Sequence, residues 1–584
     1  MNASEAATTA TPTSGTPGDR GGAIQWLGLG LVVILSCVLR FSIAQIPLER
    51  DEGEYAYIAD RWLAGDVPYR DAFDQKPPGV FLAYAALFAI GLRSIEAIHW
   101  LAHLFVLATA GLLYLVGRRL FSPVVGVAAS LTMVVLVMDV SVLGNAANTE
   151  VFAILPLTAG MYLAVRLRDL RSRLGATPSL QPLGATPSLQ PLGATPSLQP
   201  QRREFCDAAL LGCMGGLAVL FKQVALPIVL FQFVAAMWRP GVPTRTSGLF
   251  ATPLAMLAGF IAVLGLTCIY FASCGAWVPF FECVWSYNLA YSGRVSLELY
   301  GFMLWRVARG LGLSQWPLLV AAGVGVWQAA VRRDGAVRPA LWWWLSSLVA
   351  VSVGGYFRHH YFILLMPPTA LVAGYGLEAL SRIVEPKRRE WQSRVAVVLS
   401  VLAVAWPTYL HRHYFFAGSP QSACRLLYGP NPFAESIELA ALIRENSTPD
   451  DRVFVFGSEP QLLFYAGRRS ASRYIFMYPL FGGSPNAPQR HQQVIAELDQ
   501  HKPKFIVMVH VPQSFAMHDG DSELLLDNLT KRIEDGYELF ANAILVHTGA
   551  FRVERARKNP DGSIAPPMIG PHESATVQVW ERRK

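Results

Sequence analysis

Apolar runs of about 17 to 25 residues, long enough to cross a hydrocarbon core of roughly 30 Å, recur through this chain from Ile24 nearly to Leu410 and then stop. Inside lipid every backbone N–H and C=O has to be satisfied within the chain, which leaves helices as the spanning elements for such runs. Of 584 residues, 53% are hydrophobic and only 15% charged, against about 25% charged in soluble domains. The expected fold is a polytopic α-helical membrane protein of about eleven spans, with a C-terminal α/β domain. The spans are expected near 24–46, 95–116, 122–141, 149–166, 206–221, 223–238, 249–274, 312–331, 339–356, 361–380 and 394–410.

Loop charge orients these spans, because Lys and Arg accumulate on the cytoplasmic side of short loops. The basic loops are 117–121, 166–203 with Arg166, Arg168, Arg171, Arg173, Arg202 and Arg203, 332–338, and 381–394. All are expected in the cytoplasm, provided that Val80 to Gly91, only about a dozen residues and short for a span, lies along the outer interface. The same distribution accounts for the net charge of +8 without a nucleic-acid partner. The protein is expected in the plasma or inner membrane, N-terminus cytoplasmic and C-terminal domain outside.

Three regions follow. Residues 1–23 are small and polar, lack the charged and short apolar segments of a cleaved signal, and read as a disordered cytoplasmic tail before a retained anchor. Residues 24–410 form the membrane domain, with a first outer loop at 47–94 and a low-complexity insert at 174–200, "LGATPSLQP" three times over, whose removal should cost little. Residues 411–584 form the soluble domain: "RVFVFG" and "KFIVMVHV" read as buried strands, "QLLFYAG" and "QRHQQVIAELDQ" as helices, and "AILVHTGAFRVERA" as a hairpin. The seven cysteines follow neither a disulfide framework nor a zinc spacing.

The densest charge lies directly behind the first apolar run, in "RDEGEYAYIADRWLAGDVPYRDAFDQKPPG" (50–79). Tyr55, Ile58, Ala59, Trp62 and Leu63 share one helical face, which suits an amphipathic helix at the interface. Asp51 and Glu54 have the D-x-x-E spacing of a capping arrangement, so an N-cap role for Asp51 stands beside a chemical one. Capping accounts for one acid; Asp51, Glu52, Asp66, Asp71, Asp74 and Lys76 crowd a single loop.

Further charges fall at outer ends of apolar runs: Glu150 in "NAANTE", Lys222 in "LFKQVALP", and Arg358, His359 and His360, followed by Tyr361, in "GYFRHHYF". Each alone is explained by snorkelling to the interface. Together they outline an outward-opening cavity, because ionisable groups near the membrane core cost roughly 2.5 to 3.5 kcal/mol unless they face a polar space or a partner. Carboxylates on one side and cations on the other suit sugar transfer from a lipid phosphate, in which a carboxylate takes the nucleophile's proton and cations stabilise the departing phosphate. Asp51 or Glu52 fits the first role; Lys76, Lys222 and Arg358 fit the second.

The chain resembles the polytopic glycosyltransferases of the C-type fold, and within them the bacterial relatives of the protein O-mannosyltransferases and the lipid A aminoarabinose transferase. The resemblance rests on "RDEGEYAYIADRWLAGD" and "DQKPPG", with weaker likeness at "ANTEVF", "GLAVLFKQ", "RHHYFILLMPP" and "VFVFGSEPQLLFYAGRRSASRY". It implies that Asp51 is the base with Glu52 beside it, and that Glu150 helps to hold a metal or the acceptor. It further implies that Lys76 and Lys222 contact the donor phosphate. Arg358, His359, His360 and Tyr361 complete the expected substrate site. A divalent metal, if used, has Glu52, Asp74 and Glu150 as candidate ligands; Gln75 stands where the aminoarabinose transferase has an acid, which counts against one. The expected donor is a polyprenyl-phosphate sugar, and the acceptor a glycan, lipid or protein. The competing reading is a transporter or flippase for an anionic lipid-linked sugar, which inverted repeats and broken helices would favour; the sequence has no clear internal symmetry.

Overall fold

The computed structural model describes residues 17–175, 199–238, 250–292, 296–484, 486–515, 517, 521–546, 549–561 and 563–583. Residues 1–16 of the N-terminal tail and 176–198 of the repeat insert read from the sequence lie outside them.

Every apolar run assigned as a span lies on a helix. Among the described residues, seven helices are long and apolar enough to cross a membrane, or eight if one bent pair is a single span. The remaining assigned spans are shorter helices: Pro123–Val137, Leu226–Met237 and Arg338–Ser352. The bent pair is Leu297–Ser314 and Trp316–Arg332, meeting at 95° around Gln315, with Pro317 opening the second helix. The sequence reading began one span at 312 and placed no helix between 275 and 311; that stretch forms short helices, a π-turn at Glu282–Ser286 and the Leu297–Ser314 helix.

Small residues let the helices approach closely. A Cβ on Gly212 would sit 1.9 Å from the Met256 carbonyl oxygen, and one on Gly259 2.1 Å from that of Ala209, so Gln199–Phe221 and Ala251–Ser273 touch backbone to backbone. Away from that contact Ala251–Ser273 exposes Leu254, Ile261, Leu266 and Ile269, as expected of a surface solvated by lipid.

After Leu410 the chain builds a six-stranded sheet. Its strands are β1 (Arg452–Phe456), β2 (Arg469–Ser470), β3 (Phe505–Val509), β4 (Tyr537–Val546), β5 (Phe551–Arg555) and β8 (Glu573–Arg582), with β6 (Arg557–Lys558) and β7 (Ile564–Ala565) forming a separate ribbon. The order is β2-β1-β3-β8-β4-β5: β2, β1 and β3 are parallel, and the other pairings antiparallel. The two strands, two helices and hairpin read from the sequence are all present. β8, at the centre of the sheet, was missed, although "ESATVQVWER" alternates as a half-buried strand does.

The first loop joins the two halves. Its helix Arg50–Leu63 buries every residue from Glu52 to Ala59, so it is not an amphipathic helix resting on an interface. It is clasped between the Gly79–Ala89 helix and the tail helix Gln461–Ala466. Ser470 N–H donates to Tyr57 Oη at 2.8 Å and Leu48 N–H to Tyr465 Oη at 2.9 Å; Phe88 stacks on Phe464 at 5.5 Å. Buried apolar side chains of the bundle, the loop and the tail form one contiguous core.

Candidate active site

The Arg50–Leu63 helix starts at a capping box: Glu49 is the N-cap, and its N–H donates to Glu52 Oε2 at 3.1 Å. Asp51 therefore lies inside the first turn and has no capping duty, contrary to one of the sequence readings. An acid there is also favoured by the helix dipole.

The adjacent acids part company. Glu52 turns into the packed interior, where Oε1 meets His99 Nε2 at 2.9 Å and accepts the Ala147 N–H at 2.6 Å. It does not reach the cavity, so the structure leaves Asp51 alone of the pair facing it. Lys76 Nζ lies 2.9 Å from Glu54 Oε2, 3.3 Å from Asp51 Oδ1 and 3.8 Å from Asp74 Oδ1. The turn that delivers Lys76 is held by Tyr69, buried at φ 69°, whose hydroxyl donates to the Lys76 carbonyl at 2.8 Å. Such strained positions persist only where their surroundings fix them.

Three carboxyl groups around one ammonium cannot all be ionised out of water. Burial, with Asp74 and Asp51 adding to it, pushes Glu54 well above the carboxylate range despite Lys76. Burial also acts on Asp51, yet Lys76, His360 and Lys222 outweigh it and hold that carboxyl at about 2. Asp51, with a fifth of its side chain exposed against 1% for Glu54 and none for Asp74, keeps the charge.

Asp51 and Lys76 line a cavity of about 540 Å³. Across it, Lys222 sits in extended backbone where the Gln199–Phe221 helix breaks; its Nζ is 2.8 Å from Glu150 Oε1 and 4.4 Å from the centroid of the Tyr361 ring. Arg358, His359, His360 and Tyr361 also reach the cavity. His359 has both ring nitrogens engaged, by the Ser141 carbonyl at 2.9 Å and by Arg306, which fixes a neutral tautomer with Nδ1–H donating. Glu150 stands behind Lys222, outside the lining.

The candidate metal ligands do not converge. Glu52 is taken by His99, Asp74 accepts the Lys76 N–H at 2.9 Å, and Glu150 is paired with Lys222. Among the described residues no group of three or more His, Cys, Asp or Glu is placed to hold a metal ion.

Sequence reasoning missed part of the wall. Glu49, Arg50 and Glu54 line the cavity beside Asp51, Asn288 joins from the unassigned stretch, and the tail supplies Tyr428, Asn431, Phe433, Phe476 and Tyr478. The aromatic residues carry no local pattern that separates a cavity wall from a core.

Residues 75–176 match the family of dolichyl-phosphate-mannose-protein mannosyltransferases, a segment that runs from Gln75 and Lys76 through Glu150. No curated protein matches the chain. Among solved structures it is similar to the oligosaccharyltransferase AglB of Archaeoglobus fulgidus (13% identity, 92% of this chain and 75% of that one, TM-score 0.49). It is also similar to ArnT of Cupriavidus metallidurans (14%, 84% and 94%, 0.48) and to the mycobacterial arabinofuranosyltransferase AftD (16%, 95% and 39%, 0.44). The family match spans the Lys76 turn and Glu150, within a bundle of helices long and apolar enough to cross a membrane.

Proposed function

We propose that the protein transfers a sugar from a polyprenyl-phosphate donor to a glycan, lipid or protein acceptor on the extracytoplasmic side, with inversion at the anomeric carbon. The observation that carries this reading is Asp51: an ionised carboxylate at the wall of a cavity of about 540 Å³ that Lys222 and Arg358 also line. The acceptor X–H would lie against Asp51. As X attacks the anomeric carbon from the face opposite the phosphate, the carbon–oxygen bond to phosphate breaks, Asp51 takes the proton, and polyprenyl phosphate leaves with its new charge against Arg358 and Lys222.

Lys76 has a different part from the phosphate contact expected at first. Held by three carboxyl groups, it orients Asp51 and keeps it ionised. Residues 117–121, 166–203, 332–338 and 381–394 face the cytoplasm under the positive-inside rule, which puts the cavity and the residues after Leu410 outside.

Asp51→Asn keeps the shape of the side chain and removes the proton acceptor. It is expected to lower transfer by about 10² to 10⁴-fold with insertion and thermal midpoint retained. The check is turnover of extracted polyprenyl-phosphate sugars by purified protein; a well-folded Asp51→Asn enzyme of full activity would remove Asp51 from the mechanism.

A further inference from the structure

One side chain beside Asp51, that of Arg50, makes four hydrogen bonds, all of them to the tail. Arg50, first residue of the Asp51 helix, donates from Nε to the Ser458 carbonyl at 2.6 Å and from Nη2 to Glu459 Oε1 at 3.0 Å and Asn431 Oδ1 at 3.3 Å. Its Nη1 donates to Tyr478 Oη at 3.2 Å. Glu459 is fully buried and is itself held by Ser514 Oγ at 2.5 Å; Ser514 Oγ also accepts the Ser458 N–H at 2.6 Å.

The position of this cluster is informative. Ser458 and Glu459 follow β1, and Ser514 follows β3, so Arg50 enters the crevice at the carboxyl ends of adjacent parallel strands, the place where open α/β sheets receive ligands. Beside it, a Cβ on Gly53 would lie 2.5 Å from the Gln461 backbone nitrogen, so the helix is seated against the tail backbone. Asn431 and Tyr478 line the same cavity as Asp51. One planar guanidinium, with its donors in fixed directions, thus joins the turn that carries Asp51 to two tail residues that line the same cavity.

We propose that Arg50 and Glu459 are positioning residues, a buried tie by which the tail sets the position and orientation of Asp51 in the cavity. A buried ion pair is replaceable by apolar packing without loss of stability; what apolar packing cannot supply is the directional fork. The proposal rests on the reading of Asp51 as the base.

The test uses full-length protein in detergent with Glu459→Gln, Arg50→Met and Arg50→Lys. With extracted polyprenyl-phosphate sugar, Glu459→Gln and Arg50→Met are expected to lower kcat by about 10²-fold, the scale of a small misplacement of reacting groups, with donor KM changed less than about threefold. Arg50→Lys should recover part of the loss over Arg50→Met. Unchanged kcat in both neutral variants, or kcat falling only with the folded fraction, overturns the tie. Hydrogen exchange tests it without turnover: amides 51–57 should exchange faster in Glu459→Gln while those of Arg389–Leu410 do not, and unchanged exchange at 51–57 overturns the proposal. A wild-type protein that turns over no such lipid defeats the proposed donor, and the exchange result then decides the tie alone.

Discussion

Burial would raise the Asp51 carboxyl, but Lys76, His360 and Lys222 hold it at about 2, and a carboxylate that acidic is a weak base at rest. It suits a displacement in which the carbon–oxygen bond to phosphate breaks early and the attacking hydroxyl becomes acidic before its proton moves. The charge state then fixes the pH behaviour. From about pH 8 down to about pH 5 Asp51 stays ionised, so kcat/KM should show no acid limb assignable to it in that range; a limb near the ordinary carboxylate range of about 4 to 5 would show that Lys76 does not hold it. Glu54 is the opposite case. Its folded value is raised, first by burial, so its contribution to stability is present below its unfolded value and is lost as pH rises through the folded one. Glu54→Gln removes that titration, and its thermal midpoint is expected to fall less than that of the wild type as pH rises above the ordinary carboxylate range.

At the scale of elements, spans were legible wherever an apolar run was continuous, because length and hydropathy need no knowledge of partners. The 275–311 stretch was not: Trp277, Glu282, Asn288 and Arg306 interrupt its apolar residues, and it folds as short pieces with a π-turn. The Arg50–Leu63 helix was legible as a helix and misread in its surroundings. Periodicity records Glu52 and Glu54 as polar, and only the fold reveals that His99 and Lys76 allow them to be buried. Likewise the sequence singled out the Asp51–Glu52 pair, but which of the two faces the cavity depends on rotation of the helix against residues nearly 50 and 100 positions away. That rotation depends in turn on Gly53. In Gly53→Ala the added Cβ would meet Gln461 at 2.5 to 2.9 Å, through its backbone nitrogen, Cα and Cβ, none of which moves without its helix. The expected cost is about 1–3 kcal/mol, as for other overpacked contacts, read as a lower thermal midpoint together with lost activity; a variant of wild-type midpoint would show that the helix and the tail separate freely.

At the scale of the molecule, composition and loop charge gave a helical membrane bundle followed by an α/β region, and the structure has both. What no window of sequence contains is how they meet, since the contacts join residues roughly 400 positions apart: Leu48 with Tyr465, Tyr57 with Ser470, Phe73 with Arg473 and Arg50 with Glu459. Phe73 is a compact instance. Its N–H donates to the Arg473 carbonyl at 2.8 Å, its ring stacks on Tyr474 at 5.5 Å, and the Arg473 and Arg490 guanidinium groups lie over it, so the turn next to Asp74 and Lys76 is shaped by the tail. A protein ending after Phe415 keeps Asp51, Lys76, Lys222 and Arg358 and the helices on which they sit. It strips the cover from the eight buried residues of the Asp51 helix, among them Glu52 and Glu54, and admits water to their polar contacts with His99 and Lys76. Truncation is therefore expected to insert in the membrane yet lose binding of the proposed polyprenyl-phosphate donor in native mass spectrometry, with new protease cleavage inside 47–78. Binding equal to that of the full chain would show that the membrane helices assemble the site alone and that the tail only roofs it.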